Sequence, residues 1–250
     1  RHLSIKLILS LEQKPAVHAC YAAMLKTLSI EFAHIECQTI YVSEADAPLA
    51  LVNAFECGQN HIASKELYYR AEQSTKAQVL KQSALIDNLY LVLERGRKHS
   101  WVDSGVYLIT GGLGGIGKTF AKEILANTQR AVVVLVGRSS LDTERLAQLK
   151  RFAHFGDRVQ YQSCEVEKGG QVERLVQSIE SRFGALSGVI HSAGQTNDGA
   201  FIRKQWPQVG EVLRAKIDGT INLDMSTRDS QLSFFAVFTS ISGYFGNAGQ

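Results

Sequence analysis

The residues best suited to do chemistry lie in a glycine-rich segment that follows the apolar run 106–109. The segment consists of Thr110, Gly111, Gly112, Leu113, Gly114, Gly115, Ile116 and Gly117. Residues 118–126 then repeat apolar side chains at helical spacing, so we predict a strand, a glycine loop and a helix. Glycine allows positive φ angles and close approach of a phosphate to the backbone, and a helix N-terminus favours negative charge. The pattern predicts a dinucleotide site, although a tight turn without a ligand would need glycine as well.

The glycine loop fits two motifs. One is GxGxxG, the general dinucleotide motif, formed by Gly112, Gly114 and Gly117. The other is TGxxxGxG, which begins at Thr110 and ends at Gly117 and is similar to the motif of short-chain dehydrogenases and reductases. The residues that follow along the chain favour the second motif.

Arg138 and Ser139 follow the next predicted strand, 131–136. An acid at this position would bind the ribose hydroxyls of NAD, whereas an arginine suits the 2′-phosphate of NADP. A solvated loop arginine is the alternative. We therefore predict NADPH rather than NADH as the cofactor.

Two further predicted strands end in residues that we assign to the cofactor. Glu165 and Val166 end the strand 159–166, where the adenine would lie, although an acid at a helix start is an alternative for Glu165. The strand 186–191 ends in a small-residue segment that would let the backbone pass the nicotinamide ribose, formed by His191, Ser192, Ala193 and Gly194. We interpret His191 as a packed or hydrogen-bonded residue rather than a catalytic base.

Lys216 and Ser240 are the candidate catalytic residues. Lys216 lies among apolar residues of the predicted helix 205–225, where a lysine is usually a surface residue with a buried stem. Ser240 ends the predicted strand 232–240, and a serine at a strand tip can donate a hydrogen bond to a substrate carbonyl.

The elements that position these residues alternate regularly from Val106 onward. The predicted strands are 106–109, 131–136, 159–166, 186–191 and 232–240, and the predicted helices are 118–126, 141–152, 172–183 and 205–225. Such alternation predicts right-handed crossovers and a doubly wound parallel sheet of the α/β class. Ligands then bind at the carboxyl ends of the strands.

The first hundred residues predict a smaller Rossmann-like unit without a phosphate loop. We expect a β-α-β-α-β order and a connector that contains a helical stretch. The elements are strand 5–10, a helix from Pro15, strand 39–42, helix 47–55, an edge-like strand 61–69, connector 71–103 and its helix 80–93. A stripe of the first helix is expected to be buried, and it comprises Tyr21, Leu25, Leu28 and Phe32.

Composition narrows the classes of function. The chain has 250 residues, 45% of them hydrophobic and 20% charged, and a formal net charge of +3. These values indicate a globular protein and do not favour binding to nucleic acid. No apolar run approaches the roughly 20 residues of a membrane span, and no signal peptide is evident. The cysteines are expected to be buried thiols in a reducing cytoplasm rather than metal ligands, and they are Cys20, Cys37, Cys57 and Cys164.

The ordered motifs resemble the ketoreductase domain of modular (type I) polyketide synthases, which are short-chain reductases within a multienzyme. The motifs are the glycine loop, Gly137-Arg138-Ser139, Glu165-Val166, His191-x-Ala193-Gly194, Lys216-x-x-Gly219 and Phe238-Thr239-Ser240. Residues 101–250 look like the NADP-binding catalytic subdomain, incomplete at its C-terminus. Residues 1–100 look like the cofactor-free structural subdomain, incomplete at its N-terminus. We therefore expect the chain to be a fragment.

The resemblance implies NADPH-dependent reduction of a 3-ketoacyl thioester to the 3-hydroxyacyl thioester. The substrate would arrive on the phosphopantetheine arm of an acyl carrier protein, and the other partners would be domains of the same synthase. Ser240 would orient the ketone oxygen, and Lys216 would support a catalytic tyrosine. That tyrosine, followed by an asparagine, is expected shortly beyond Gln250.

The sequence departs from the family pattern at two places. Glu165 stands where an aspartate is usual. Of the Leu-Asp-Asp triplet that marks one stereochemical class, the segment Thr196-Asn197-Asp198 keeps only the final acid. Val237 stands where the opposite class has tryptophan. The resemblance therefore favours the D-configured 3-hydroxyl product.

Two alternatives remain open. One is a fatty-acid-type or free-standing NADP-dependent ketone reductase, against which the cofactor-free first half argues. The other is a structural module whose reductase activity has lapsed, against which Lys216 and Ser240 argue. The sequence does not decide between a 3-keto and a 2-keto substrate.

Overall fold

The computed structural model describes residues 3–10, 15–42, 66–69, 101–240 and 242–249. The chain divides into two compact units. The first comprises residues 1–96, 198–204 and 239–250, and the second comprises residues 97–197 and 205–238. The predicted helices 47–55 and 80–93 and the connector that precedes residue 101 lie outside the described residues.

The first unit contains three parallel strands in the order β1-β2-β3. Its elements are β1 (Leu3–Ser10), α1 (Pro15–Glu31), β2 (Ile35–Val42), β3 (Glu66–Tyr69) and the short α6 (Ser242–Phe245). β2 begins four residues earlier than predicted, and its ladder with β1 starts at the pair Leu3 and Ile35. The predicted start of α1 at Pro15 is confirmed.

Part of the burial prediction for α1 was wrong. Leu25 is only 8% exposed, but Tyr21 is 45% exposed, so the stripe is buried over part of its length only. Cys37 is buried as expected, whereas Cys20 is exposed on α1. The helix packs one face inward, and Tyr21 and Cys20 lie to the side of that face.

The second unit contains a five-stranded sheet in the order β6-β5-β4-β7-β8, and every neighbouring pair is parallel. Its strands are β4 (Val106–Thr110), β5 (Val132–Gly137), β6 (Val159–Ser163), β7 (Leu186–His191) and β8 (Phe234–Val237). Its α-helices are α2 (Gly115–Ala126), α3 (Thr143–Lys150), α4 (Gly169–Phe183) and α5 (Trp206–Thr227). The strand order reverses direction at β4 and β7, which confirms the doubly wound sheet.

Apolar side chains on both faces of this sheet form its core. On one face, Val106 and Leu108 pack with Ile179 of α4. On the other face, Tyr107 and Ile109 pack with α2. Successive side chains of a strand point to opposite faces, so a strand covered on both sides must be apolar throughout. That requirement explains the continuous apolar runs of β4 and β5.

Two strands are shorter than predicted. β6 ends at Ser163 rather than residue 166, and β8 covers 234–237 rather than 232–240. Val166 is nevertheless buried in the core cluster on the α4 face. Its apolar character reflects packing beneath a helix rather than strand pairing, and this explains the longer prediction.

Candidate active site

A cleft of about 320 Å³ lies at the carboxyl ends of the strands of the second unit. Eight of the predicted cofactor residues line it: Gly111, Leu113, Gly114, Arg138, Ser139, Val166, Ala193 and Gly194. The other eight do not line it: Thr110, Gly112, Gly115, Ile116, Gly117, Glu165, His191 and Ser192. The structure thus brings together the ends of β4, β5 and β7 and the turn after β6, which the sequence placed at one sheet edge.

Close packing explains several glycines of the loop. Gly111 has a φ of +65°, and a Cβ there would lie 2.7 Å from the carbonyl oxygen of Ser192. A Cβ on Gly117 would lie 2.5 Å from the carbonyl oxygen of Gly111. Both contacts are with backbone, which cannot move aside as a side chain does. These two glycines are therefore required by the turn itself.

Gly115 has no such explanation. A Cβ at this first residue of α2 would have no neighbouring atom within 4 Å. Glycine inside a helix costs about 1 kcal/mol relative to alanine, so an open position gains nothing from it in the fold. The first N–H groups of a helix also lack partners within the helix. Gly114, the N-cap of this helix, lines the cleft, so the helix terminus would offer its free N–H groups to a phosphate bound there.

Thr110 and His191 form a buried hydrogen-bond network behind the cleft. The Nε2 of His191 lies 3.1 Å from the carbonyl oxygen of Ala215, which can only accept, so Nε2 carries the proton. Nδ1 then accepts from Thr110 Oγ1 at 2.7 Å, and that hydroxyl accepts from the backbone N–H of Ala193 at 3.2 Å. His191 is fully buried, and it connects the carboxyl ends of β4 and β7 to α5.

Burial, together with the nearby positive charge of Lys216, holds the pKa of His191 below its usual 6.5. Below about pH 6.5, His191 therefore takes up a proton in the unfolded chain more readily than in the folded chain. This difference favours the unfolded state as the pH falls. We expect the free energy of unfolding to decrease over that range in the wild type and to decrease less in His191→Gln. Chemical denaturation across pH measures this. Exposed His154 provides the control, and a His154→Gln profile as altered as that of His191→Gln would contradict the assignment.

Side chains of β6 hold the backbone of Arg138 and Ser139, the two residues that follow β5. The backbone carbonyl of Arg138 accepts from Ser163 Oγ at 2.9 Å, and that of Ser139 accepts from Tyr161 Oη at 2.6 Å. The guanidinium of Arg138 donates to Gln195 Oε1 at 3.0 Å and is exposed. This cation therefore lies at the cleft with a neutral hydrogen-bond partner, and its charge, which also helps to lower the pKa of Glu165, would attract an anion bound there.

Glu165 lies outside the cleft and beyond the strand that was predicted to carry it. Its Oε1 accepts from Lys168 Nζ at 2.8 Å, and its backbone N–H donates to Gln171 Oε1 at 3.0 Å. The Lys168 ammonium holds the pKa of Glu165 below its usual range. Lys168 is the N-cap of α4 and Gln171 lies in its first turn, so these bonds are those of the helix-start alternative. Val166, next to it, does line the cleft.

Lys216 reaches from α5 toward the strand ends. Its Nζ donates to the carbonyl oxygen of Phe238 at 2.8 Å, and burial lowers its pKa. A Cβ on Gly194 would lie 2.8 Å from Lys216 Cε, so the lysine stem occupies the space beside that glycine. Lys216 is thus a half-buried lysine with a directed ammonium and not a solvated surface residue.

Ser240 lies three residues beyond the end of β8 and belongs to the first unit. It is exposed, and its Oγ accepts from the backbone N–H of Ser242 at 3.2 Å. Its hydroxyl hydrogen is not used by that bond and can be donated.

Sequence analysis missed several residues of the cleft. Tyr161, Arg145, Gln195 and Cys164 line it as well. Arg145 is bound to Asp142 at the start of α3, and Cys164 is buried. Burial raises the pKa of Cys164 to about 11, and the carboxylates of Glu167 and Glu165 add to the effect. Gln195 could have been found, because it directly follows the small-residue segment after β7.

The sheet order, the glycine loop and the cleft at the strand ends define a Rossmann-type α/β protein. Over residues 105–250 the chain matches the family model described as the KR domain. The chain therefore belongs to this family, the ketoreductase domains of polyketide synthases, and the recognition made from the motifs is confirmed.

Similar proteins are themselves polyketide synthases or their parts. Polyketide synthase PksN of Bacillus subtilis (strain 168) is 32% identical over 248 residues, and PksL of the same organism is 42% identical over 150 residues. These matches cover 98% and 60% of this chain, but only 4% and 3% of the synthases. The chain thus spans a small part of the length of these relatives.

Solved structures of ketoreductases share the fold. A ketoreductase domain from the bacillaene assembly line is 32% identical with a TM-score of 0.81, over all of this chain and 57% of that one. An N-terminal ketoreductase from the macrolactin assembly line is 27% identical with a TM-score of 0.72, over all of this chain and 49% of that one. Among the residues that our structure describes, no helix is long and apolar enough to cross a membrane.

Proposed function

We propose that this chain carries the site for NADPH-dependent reduction of a 3-ketoacyl thioester during polyketide biosynthesis. The single observation that carries the proposal is the position of Lys216. Its stem lies against Gly194, which lines the cleft, and its ammonium is held on the Phe238 carbonyl at the exit of β8. Membership of the ketoreductase family supports the same reaction. The acyl group would be carried on the phosphopantetheine arm of an acyl carrier protein of the synthase.

The residues of the cleft fit NADPH. The glycine loop and the start of α2 would hold the pyrophosphate, and Gly115 supports this because neither packing nor φ requires glycine there. Arg138 and Ser139 would hold the 2′-phosphate, and Ala193 and Gly194 would adjoin the nicotinamide ribose. Val166 would contact the adenine. Bound NADPH supplies the hydride.

The chain's own residues would prepare the ketone for reduction. Ser240 would donate its free hydroxyl hydrogen to the ketone oxygen and so fix the orientation of the carbonyl. Lys216 would supply positive charge beside the acid that protonates the same oxygen. The family resemblance assigns that acid to a tyrosine, and the catalytic tests use the full-length protein. Residues 1–100 would act as the structural subdomain.

The test is oxidation of NADPH by the full-length protein in the presence of a 3-ketoacyl pantetheine thioester, with product analysis by chiral chromatography. We expect NADPH-dependent formation of a 3-hydroxyacyl thioester of D configuration. Binding of NADPH without turnover on any ketoacyl thioester would favour the lapsed structural module instead. Equal turnover on small free ketones would favour a free-standing type of reductase.

Arg138→Ala is expected to weaken NADPH binding about 10- to 100-fold and to leave NADH binding unchanged. The reason is that a hydrogen bond to a charged group contributes roughly 1.5–3 kcal/mol, and only NADPH has the 2′-phosphate. Fluorescence titration of both cofactors measures the difference. Arg130 is the matched control, because it is an exposed arginine just before β5 whereas Arg138 follows the same strand. Equal losses for NADPH and NADH would remove the assignment.

A further inference from the structure

Helix α1 ends in an acid that is unfavourable for the helix itself. Glu31 is the last residue of α1, and the last turn contains no basic residue. The C-terminal end of a helix carries partial negative charge, so a carboxylate there is destabilising unless other donors compensate it. The interactions of Glu31 beyond the helix therefore indicate why an acid stands at this position.

Both oxygens of the Glu31 carboxylate accept hydrogen bonds from backbone N–H groups of distant segments. Oε2 accepts from Phe201 at 2.6 Å, and Oε1 accepts from Gly249 at 2.9 Å. The two segments also meet each other, because the N–H of Gly199 donates to the carbonyl oxygen of Gly249 at 2.7 Å. Hydrogen bonds to an ionised acceptor are about twice as strong as neutral ones. One side chain thus ties residues 198–204 to residues 246–249.

The same face of α1 holds the second segment one turn earlier. Thr27 Oγ1 accepts from the backbone N–H of Asn247 at 3.2 Å and donates to the carbonyl oxygen of Ala23 at 3.1 Å. Gly246 has a φ of +73°, and a Cβ there would lie 2.7 Å from the backbone nitrogen of Thr27. The segment therefore lies directly on the helix, in a conformation that suits glycine.

The two tied segments continue from the strands that end at the candidate site. Residues 198–204 follow β7, after Ala193 and Gly194 of the cleft. Residues 239–249 follow β8, and they begin just after Phe238, whose carbonyl accepts from Lys216. In an open α/β sheet, the loops that leave the carboxyl ends of the strands receive the substrate.

We propose that Glu31 is a positioning residue that fixes these two segments for the ketoacyl substrate. This inference rests on the proposed function, since it assigns the segments to the substrate of that reaction. Glu31 touches neither cofactor nor reacting atoms in this role. It acts through the backbone of Phe201 and Gly249, and the second of these lies nine residues after Ser240 in the chain.

The test compares Glu31→Gln and Glu31→Ala in the full-length protein. An amide keeps the length of the side chain but replaces one acceptor oxygen with a donor, so one of the two N–H groups loses its partner. We expect kcat/KM for a 3-ketoacyl pantetheine thioester to fall about tenfold or more, mainly through KM, with NADPH affinity unchanged. Trypsin should cleave faster after Arg203, which lies in the released segment. Glu36→Gln is the control, because Glu36 is an exposed acid on β2 of the same unit.

The outcomes separate the two proposals. If the wild-type protein reduces the thioester and both Glu31 variants keep its kcat/KM and its rate of trypsin cleavage, the positioning role is overturned. The proposed function then stays intact. A parallel loss of NADPH affinity and melting temperature would show that Glu31 only stabilises the fold, which also overturns it. A wild-type protein without turnover on ketoacyl thioesters would overturn the proposed function and the inference with it.

Discussion

Lys216→Ala is expected to lower turnover on a 3-ketoacyl thioester about 100-fold, because general acid catalysis of this kind contributes roughly 10²- to 10⁴-fold. The ammonium is half-buried and donates to the Phe238 carbonyl, so its charge acts from a position that is partly shielded from water. Steady-state oxidation of NADPH by the full-length protein measures the loss.

Arg214→Ala is the matched control for Lys216, since Arg214 is an exposed cation on the same helix and should keep wild-type turnover. Burial lowers the pKa of Lys216 below its usual 10.5, so the lysine loses its proton at a lower pH than an exposed lysine. The alkaline limit of kcat should therefore lie below that value. If Lys216→Ala kept near wild-type turnover, Lys216 would have only a structural role.

Ser240→Ala is expected to lower turnover by a similar factor of about 100, the loss seen when one donor to a reacting carbonyl oxygen is removed. Ser240 is exposed, and its Oγ accepts a hydrogen bond from the backbone N–H of Ser242, which leaves the hydroxyl hydrogen available. The loss should appear mainly in kcat, with NADPH affinity retained. The same NADPH-oxidation assay, combined with cofactor titration, measures both.

Ser233→Ala is the control for Ser240, because Ser233 is an exposed serine at the opposite end of β8. Ser233 directly precedes the strand and so lies at its amino end, whereas Ser240 follows its carboxyl end, and removal of the Ser233 hydroxyl should leave turnover unchanged. If both variants lost activity equally, the effect would come from the stability of β8, and Ser240 would lose its proposed role.

The regular alternation of strand and helix patterns from Val106 onward made the five-stranded sheet predictable. A parallel strand buried on both faces must be apolar along its whole length, and the β-branched runs of β4 and β5 meet that requirement. The ends of β6 and β8 were not predictable in the same way. Val166 continues the apolar pattern, but it is buried by packing under α4 and not by pairing. Apolar character alone does not separate these two causes.

The candidate site was predictable where it follows strand ends and not where it depends on distant contacts. Arg138 and Gly194 lie at the cleft because the carboxyl ends of parallel strands meet at one edge. Tyr161 and Arg145 reach the cleft through side-chain direction, which periodicity does not reveal. The bonds of Glu31 to Phe201 and Gly249 join residues far apart in the chain, and no local pattern encodes them.

The thiol of Cys164 has a practical consequence for the chemical durability of the cleft. A thiol with a pKa of about 11 is ionised in only about one molecule in 10⁴ at neutral pH, and the thiolate is the form that reacts with oxidants and electrophiles. The cysteine that lines the cleft is therefore nearly inert, while Cys20 on α1 is exposed to reagents. Peroxide or an alkylating dye should modify the helix that bears Glu31 before it damages the nucleotide cleft.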